Sequence, residues 1–447
     1  MKKIKLTFGA IFLILTALWL TVDTFAPQPF GYFQFREVFM QYSGIIAMSA
    51  MSLCMILATR PAWIENRLHG LDKMYRLHKW LGITALCVAI LHWWWAQGSK
   101  WMVGWGWIER GAKTPKPPTD SALELWLRGQ RHFAESLGEW AFYAAAVLLI
   151  LALLKKFPYK LFAKTHLLLA AGYLVLAFHT LVLVQYRYWT TPLGIIMLAL
   201  IAYGVRSAVT VLLRRVGSTR KSDGKIVELQ TFPEMKLLAT TITVPQWRGH
   251  KAGQFAFLRT SENEPPHPFT IASGWDAQRG TVRFVTKALG DYTAAMAKLL
   301  KVGQKVTVEG PYGRFTFDGA CRRQIWIGGG IGITPFIAGL EEMAQRRKET
   351  SDVPQVDLFF STGEYDADLV DRLTALAQSA GAKLHVFYNK RDGYLTGDKI
   401  RETADGWQNA HLWFCGPVGF GAALRKDFAA HGISGDDVFH QELFAMR

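Results

Sequence analysis

Long apolar runs occupy the first half of the chain, and short ones occupy the second half. A helix that crosses a hydrocarbon core of about 30 Å needs about 20 apolar residues. Six runs have or approach that length, at 6–27, 42–59, 78–97, 137–154, 166–185 and 192–213. We therefore predict an all-α membrane bundle of six helices over residues 1–215. Lysines before the first run also fit a cleaved signal peptide, but no small-residue cleavage site follows, and we favour a retained helix.

Beyond residue 215 the pattern changes to short strands separated by turns. The runs at 236–244, 254–259, 281–287 and 305–309 predict an antiparallel β-barrel over residues 216–319. Over residues 320–447, strand-like runs alternate with helix-like ones, which predicts an α/β domain with a parallel sheet.

The charge is distributed unevenly between these parts. The chain has 51 Lys and Arg against 35 Asp and Glu, a formal net charge of +16. Residues 1–215 hold 23 basic and 9 acidic residues, whereas residues 216–447 hold 28 and 26. The excess lies at the N-terminus and in the loops after the second, fourth and sixth runs, which predicts that these loops are cytoplasmic. We therefore expect a lipid bilayer and no nucleic acid as partner.

Four histidines lie inside the predicted spans. His78 and His92 are 14 residues apart in the third span, and His166 and His179 are 13 apart in the fifth, which runs in the same direction. At a rise of about 1.5 Å per residue, each span carries one histidine near its cytoplasmic end and one about 20 Å further out. Two imidazoles at each of two depths are what two b-type haems need, so we predict the pairs His78/His166 and His92/His179. The 13-residue spacing sets its rings about 140° apart, which requires a tilt, a distortion near Gly172 or different ring approaches.

Several motifs in the second half indicate bound nucleotides. The glycine-rich sequence 328–335 follows an apolar strand and opens a helix, so its backbone can approach a phosphate. It lacks the Lys and Ser/Thr of a phosphate-loop NTPase, which disfavours an ATPase. The segments 267–273, 290–293 and 415–417 each also fit a structural role when taken alone. The four cysteines form no Cys-x-x-Cys pair, which excludes a four-cysteine iron–sulfur cluster.

Taken together, these features resemble the ferric reductase/NADPH oxidase superfamily, in a compact bacterial form, over nearly the whole chain. The histidine pairs resemble its haem ligands, and 76–82 resembles the start of its third span. The residues that match the flavin motifs are His267, Pro268, Phe269, Thr270, Ser273, Gly290, Asp291, Tyr292 and Thr293. Those that match the nicotinamide-nucleotide motifs are Gly328, Gly329, Gly330, Gly332, Thr334, Pro335, Cys415, Gly416 and Pro417.

The resemblance also implies roles for individual residues. It places Phe269 against the isoalloxazine of FAD, Thr270 near the reactive nitrogen and His267 toward the diphosphate. Phe444 would stack on the flavin, and Cys415 would lie beside the nicotinamide. Thr270, Cys415 and Phe444 are therefore the expected catalytic residues.

The function that the resemblance implies is electron transfer across the cell membrane by a multi-pass enzyme. Electrons would pass from cytoplasmic NADPH or NADH through FAD and two haems b to an outer acceptor, either O₂, giving superoxide, or ferric iron. Ala96 stands where oxidases of the family tend to keep a further histidine, which weakens the case for superoxide. Glu364 disfavours NADPH, whereas Lys390 and Arg391 favour it, so the choice of nucleotide stays open.

Other interpretations of the same residues remain. An electron supplier to a separate periplasmic or extracellular redox partner fits the same motifs. A nucleotide-gated proton channel or transporter explains the intramembrane histidines but leaves the flavin motif unexplained. Arg36 and Arg131, near the outer ends of two spans, fit haem propionates or an anionic acceptor but more simply fit interfacial anchors. The oligomeric state is open.

Overall fold

The chain divides into two compact units, Met1–Val216 and Gly217–Ala445. The computed structural model describes residues 2–68, 70–109, 118–154, 156–262, 264–317, 321–350 and 352–441.

The first unit is built from helices. Its helices are α1 (Lys2–Leu20), α2 (Tyr32–Ala58), α3 (Ala62–Leu68), α4 (Leu71–Gly104), α5 (Ala122–Leu153), α6 (Tyr159–Leu183) and α7 (Pro192–Leu212), with a 3₁₀ turn at Tyr186–Thr190. Helix α7 begins with a proline, and the Thr191 hydroxyl before it accepts a hydrogen bond from Gly194 N–H at 3.3 Å. Both features favour a helix start.

Each predicted apolar run lies largely on one of these helices. Helices α2, α4, α5, α6 and α7 are long and apolar enough to cross a membrane, whereas the apolar part of α1, Ile4–Leu20, is shorter. The structure therefore supports several membrane helices, and the count of six remains a prediction. The first run was predicted to reach residue 27, but α1 ends at Leu20 and two prolines follow within nine residues. Proline disfavours helical geometry in the residue before it, so a helix that continues to residue 27 is not expected.

Helix α2 is the most buried helix of the first unit and packs against α4, α6 and α7. Its small polar residues make the contacts. The Ser49 hydroxyl donates to Met197 Sδ at 3.0 Å, and the Ser52 and Tyr173 hydroxyls are 2.9 Å apart. Small and hydroxyl-bearing residues are common between membrane helices because they allow close approach and hydrogen bonding.

The second unit begins with an antiparallel sheet. Its strands are β1 (Lys221–Phe232), β2 (Leu237–Thr243), β3 (Phe255–Arg259), β4 (His267–Thr270), β5 (Thr281–Lys287) and β6 (Lys305–Tyr312), and helix α8 (Asp291–Leu299) follows β5. The strand order is β4-β3-β6-β1-β2-β5, and a bridge between Ile271 and Phe284 joins the two edges. Alternate residues of β5 are buried, as expected for a strand with one face in a core.

A parallel sheet follows in the same unit, as the alternating pattern predicts. Its strands are β7 (Arg323–Gly329), β8 (Gln355–Thr362), β9 (Lys383–Tyr388), β10 (His411–Cys415) and β11 (Phe439–Gln441). Its helices are α9 (Thr334–Arg346), α10 (Ala367–Ala380), α11 (Asn389–Asp392), α12 (Gly397–Thr403) and α13 (Val418–Ala430). The order β11-β10-β7-β8-β9 reverses between β7 and β10. Such a switch point opens a crevice at the carboxyl ends of the strands, where ligands of α/β sheets bind.

Two carboxylates of α9 connect the two sheets of the second unit. Glu341 accepts a hydrogen bond from Gly274 N–H at 2.9 Å and pairs with Arg283. Glu342 accepts one from Ala252 N–H at 3.1 Å. Charged acceptors make these bonds stronger than neutral ones, so α9 fixes the glycine-rich turn relative to the antiparallel sheet.

Candidate functional site

The two inner histidines of the membrane unit face each other. The ring centroids of His78 on α4 and His166 on α6 are 6.0 Å apart, with an angle of 64° between the ring planes. Two imidazoles that ligate one iron through bonds of about 2 Å have centroids roughly 6 Å apart. The pair therefore has the separation that one shared iron requires.

Hydrogen bonds orient three of the four histidine rings. His78 Nδ1 lies 3.0 Å from the Cys54 carbonyl oxygen, and His179 Nδ1 lies 2.8 Å from the Ala134 carbonyl oxygen. A carbonyl only accepts, so Nδ1 carries the proton and Nε2 keeps its lone pair for a metal. His92 Nδ1 is 3.0 Å from the Ser43 hydroxyl.

The Ser43 hydroxyl is free to accept from His92 because it donates elsewhere. Its oxygen lies 2.7 Å from the Phe39 carbonyl oxygen of the preceding turn. The Nδ1 partners of His78 and His92 are thus both on α2, 11 residues apart in the sequence. Eleven residues return to nearly the same face of a helix, so one face of α2 orients both histidines of α4.

His166 is oriented differently from the other three. Its Nδ1 is buried and has no hydrogen-bond partner among the residues that the structure describes. The ring instead stacks on Phe162, one turn earlier in α6, with centroids 5.0 Å apart and an angle of 22° between planes.

Glycines on the neighbouring helices leave room for the outer rings. A Cβ atom on Gly44 would lie 3.4 Å from His92 Cε1, and a Cβ atom on Gly138 would overlap the His179 ring. These contacts also explain the 13-residue spacing on α6. That helix is continuous through Gly172, and the ring of His179 lies against α5, whereas the ring of His166 lies against α4. The angle of about 140° between His166 and His179 around α6 is therefore accommodated because their rings lie against different neighbouring helices, and not by a break in α6.

The separation of the His78 and His166 rings fits the two axial positions of one haem. Among the described residues, no group of three or more His, Cys, Asp or Glu side chains gathers as metal ligands. A pair of imidazoles is sufficient for haem because the porphyrin supplies the other four nitrogen ligands.

The two predicted flavin motifs meet in the second unit. The ring of Tyr292, at the start of α8, stacks on His267 of β4 with centroids 4.3 Å apart and an angle of 9°. Phe269 lies on the same strand with its ring centroid 6.3 Å from that of His267. His267 Nε2 is 2.9 Å from a Glu264 carboxylate oxygen. The structure thus brings together residues that are over 20 positions apart, but it pairs His267 with a carboxylate where the resemblance implies a diphosphate.

The start of α8 has the features of an anion site. The Thr293 hydroxyl oxygen lies 3.0 Å from Gly290 N and 3.1 Å from Leu289 N. Gly290 is exposed, and nothing lies within 4 Å of a Cβ atom built on it. An exposed helix N-terminus of this kind is a place where a phosphate group can bind. Asp291 in that turn opposes an anion.

Ser273 has a structural role at the edge of this motif. Its hydroxyl oxygen accepts from Arg283 N–H at 3.1 Å, and its carbonyl oxygen accepts from His250 Nε2 at 2.8 Å. Trp247 Nε1 donates to His250 Nδ1 at 3.1 Å. Burial lowers the pKa of His250, although its bond to the Ser273 carbonyl opposes the shift. Thr270 pairs with Phe255 of the adjacent strand.

The two nicotinamide-nucleotide motifs flank the switch point of the parallel sheet. Cys415 at the end of β10 pairs with Gly328 near the end of β7. A Cβ atom on Gly332 would overlap the Cys415 carbonyl oxygen, and one on Gly329 would lie 2.9 Å from Pro417 Cδ. Glycine is therefore required for the two turns to pack together. Gly330 has φ +55°, a conformation that glycine adopts readily.

Three further predicted residues bear on nucleotide choice and on stacking against the flavin. Glu364, just beyond the end of β8, is paired with Lys287 of β5, with Nζ and Oε2 2.5 Å apart. Arg391 is paired with the adjacent Asp392 at 2.8 Å. The charge of Glu364 is thus partly neutralised. Phe444 lies outside the described residues, so its predicted stacking remains a prediction.

Comparisons with known proteins agree with this architecture. Residues 43–177 match the family described as ferric reductase like transmembrane component, and residues 326–426 match the oxidoreductase NAD-binding domain. The first unit thus belongs with ferric-reductase-like membrane components, and the second carries an oxidoreductase NAD-binding domain. The chain is a fusion of the two, which confirms the family resemblance.

Each similar protein or solved structure matches only part of this chain. Ferric reduction oxidase 4 of Arabidopsis thaliana is 32% identical over 148 residues, which are 31% of this chain and 21% of that protein. The carnitine monooxygenase reductase subunit of Escherichia coli (strain K12) is 29% identical over 147 residues, 33% of this chain and 43% of that protein. The chain thus spans less than half the length of either. A solved structure, the flavohem-like FAD/NAD binding domain of nitric oxide dioxygenase from Vibrio cholerae O1 biovar El Tor, has 18% identity and a TM-score of 0.43, covering 50% of this chain and 98% of that one.

The groups that orient the histidines were not predicted from the sequence. They are Ser43, Gly44, Gly138 and the carbonyl groups of Cys54 and Ala134. Only the small residues carry a sequence signal, because glycine and serine are common where membrane helices touch. A backbone carbonyl carries none.

Proposed function

We propose that this chain is a transmembrane oxidoreductase that passes electrons from cytoplasmic NAD(P)H through FAD and two b-type haems to an acceptor on the outer face, O₂ or ferric iron. The observation that carries the proposal is the facing pair His78 and His166, with the Nδ1 of His78 bonded to the Cys54 carbonyl and its Nε2 left for a metal. An intramembrane histidine is costly unless it has such a role.

The second unit supplies the matching donor site. The glycine-rich turn and the turn at 415–417 meet at the switch point, and the absence of Cβ atoms there lets the backbone approach a bound dinucleotide. Thr293 organises the start of α8, where a flavin phosphate would bind, and the Tyr292, His267 and Phe269 rings form the wall beside it. Bound FAD would accept a two-electron hydride and deliver electrons singly, which haem requires.

Two arginines bear on the outer acceptor. Arg36 Nε donates to Ser99 Oγ at 2.6 Å and to the Trp95 carbonyl oxygen at 3.2 Å, which ties α2 to the outer part of α4. Arg131 pairs with Glu135 at 2.9 Å on the exposed side of α5. These contacts favour a structural role for both arginines. They therefore do not distinguish O₂ from ferric iron as the acceptor.

An absorption spectrum of the purified protein, oxidised and reduced with dithionite, tests the haem proposal. We expect b-type Soret and α bands in the wild type. Their intensity should be lower in His92→Ala and unchanged in the matched variant His132→Ala, whose side chain is exposed. Absence of these bands from the wild type would overturn the proposal. It would favour the channel or transporter.

The acceptor is tested by turnover in detergent with added FAD and either NADH or NADPH. Reduction of cytochrome c that superoxide dismutase blocks identifies O₂, whereas reduction of a ferric chelate without O₂ identifies iron. Nucleotide oxidation that needs an added redox protein would instead favour the electron supplier.

A further inference from the structure

Four exposed lysines surround the turn between α8 and β6 in the second unit. Lys225 of β1 and Lys305 of β6 are directly opposite each other in the strand register, and like charges in that arrangement destabilise a sheet. Lys298 is in the last turn of α8, and Lys301 follows that helix. The structure records no ion pair for any of the four among the residues that it describes. The stability of the sheet therefore does not account for this group of charges.

The turn itself holds an apolar side chain at its tip. Gln304 N–H donates to the Lys301 carbonyl oxygen at 3.1 Å, and Gly303 between them has φ +89°. Gly303 N–H also donates to the Ile226 carbonyl oxygen at 2.8 Å, which fixes the turn against β1. Val302 follows Lys301 in this turn and is 63% exposed. The backbone hydrogen bonds thus keep a valine in solvent between charged neighbours.

A second apolar side chain is exposed beside the turn. Leu299 is the last residue of α8 and is 59% exposed. A Cβ atom built on Gly303 would lie 3.7 Å from Lys225 Cε, so the aliphatic part of the Lys225 side chain also lies close to the turn. The basic patch, as we call this surface, consists of Lys225, Lys298, Leu299, Lys301, Val302 and Lys305.

The positive charge of the basic patch is a local feature. Residues 216–447 as a whole hold 28 basic and 26 acidic residues. On β1, the exposed carboxylates near Lys225 are Asp223 and Glu228. Glu228 Oε2 accepts from Thr241 Oγ1 of β2 at 3.2 Å, and β2 lies on the opposite side of β1 from β6. The patch therefore keeps a net positive charge, with apolar side chains among its lysines.

We propose that the basic patch binds the anionic lipid surface on the predicted cytoplasmic side of the membrane. Lysines are attracted to anionic headgroups, and exposed apolar side chains can enter the boundary between headgroups and acyl chains. This combination of charged and apolar side chains matches a lipid surface better than it matches a purely ionic partner.

The connection to the membrane unit favours the same partner. Eight residues separate Leu212, the end of α7, from Lys221, the start of β1. They can span at most about 30 Å, and Lys225 is four residues further along. A short tether of this kind raises the effective concentration of the bilayer at the patch. The inference rests on the predicted membrane topology and does not depend on the haem proposal.

Lysine acetylation of the full-length protein in lipid nanodiscs tests the proposal. The discs contain phosphatidylcholine alone or together with phosphatidylglycerol, and mass spectrometry measures the acetylation rate of each lysine. We expect the four lysines of the patch to react about threefold more slowly in the anionic discs. Lys348 and Lys426, which are exposed elsewhere in the second unit, should react equally in both. Equal rates for the patch lysines in the two kinds of disc would overturn the proposal.

The variant Val302→Ser separates the two contributions to lipid binding. Salt screens the attraction of the lysines but does not prevent burial of Val302. In the wild type, part of the protection should persist at high salt, whereas in Val302→Ser it should disappear. The matched variant Val418→Ser changes a valine that is 61% exposed at the start of α13, and it should behave as the wild type does. The same salt dependence in all three proteins would refute the role of Val302.

A third arm tests an acidic protein as the partner of the basic patch. Protection of the patch lysines in native membranes, but not in the anionic discs, would assign the patch to such a protein and overturn lipid binding. Acetylation rates do not require haem. A wild type without haem bands would thus refute the proposed function and leave this test valid.

Discussion

At the scale of single residues, the outer histidine pair depends on a glycine of the neighbouring helix. A Cβ atom on Gly138 would overlap the Nδ1, Cε1 and Cγ positions of His179. Overpacking of this kind forces side chains out of position. We predict that Gly138→Ala displaces the ring and reduces the haem absorbance by about half. Pyridine-haem quantification checks this.

Helix α5 also offers a matched control for that substitution. Nothing lies within 4 Å of a Cβ atom built on Gly129, so Gly129→Ala should retain full haem content. Full haem in Gly138→Ala as well would show that the ring does not need the space.

His250 predicts a pH dependence of stability. The folded protein holds the ring neutral, because burial lowers its pKa and Trp247 donates to its Nδ1. Below about pH 6.5, the ordinary histidine pKa, the unfolded chain gains a proton that the folded one resists. Stability from this site is therefore present above that pH and is lost as the pH falls toward the lowered value. Thermal unfolding followed by tryptophan fluorescence should have a lower midpoint at pH 5.5 than at pH 7.5.

The variant His250→Gln isolates this contribution. A glutamine can accept from Trp247 and donate to the Ser273 carbonyl, but it does not titrate. Its midpoint should therefore change less with pH than that of the wild type, since the other histidines are common to both. Equal changes in the two proteins would contradict the assignment.

The sequence predicts the histidines as candidate ligands, but it carries no signal for the groups that orient them. The four histidines are recognisable in the sequence as candidate functional residues, because polar residues are rare in apolar runs. The bonds to Ser43 and to the carbonyl of Ala134 join helices far apart in sequence, and no local pattern encodes them. The same holds for the stacking of Tyr292 on His267.

At the scale of elements, the positions of the helices followed from the sequence more closely than their ends. The third run was predicted to end at residue 97, yet α4 continues to Gly104. Arg36 and Tyr32 of α2 both contact Ser99, so tertiary hydrogen bonds support the extension. Strand β1 was not predicted because most of its residues are polar and only its inner face is buried.

The charged residue at the end of strand β8 predicts the preference between NADH and NADPH. Glu364 follows this strand, and Lys287 neutralises part of its charge. A carboxylate here favours a ribose hydroxyl and repels a 2′-phosphate. We predict that Glu364→Ser lowers the KM for NADPH relative to NADH by about tenfold, which corresponds to about 1.4 kcal/mol. Steady-state kinetics with both nucleotides measure this ratio.

Lys287, which pairs with Glu364, allows a test in which the nucleotide preference should change in the opposite direction. Lys287→Met leaves the Glu364 carboxylate without this cation, so discrimination against NADPH should increase. If the preference for NADPH over NADH changed in the same direction in both variants, an electrostatic origin of this preference would be excluded.

At the scale of the whole molecule, the charge distribution predicts the orientation in the membrane. The first 215 residues hold 23 basic against 9 acidic residues, and the basic ones cluster at the N-terminus and in alternate loops. Basic loops stay on the cytoplasmic side, and the second unit follows the last of these clusters. We predict that inverted vesicles oxidise added NADH or NADPH, whereas sealed right-side-out vesicles do so only after permeabilisation. Equal rates in sealed vesicles of both orientations, with a soluble marker enzyme as the control for leakage, would contradict the predicted direction of electron flow.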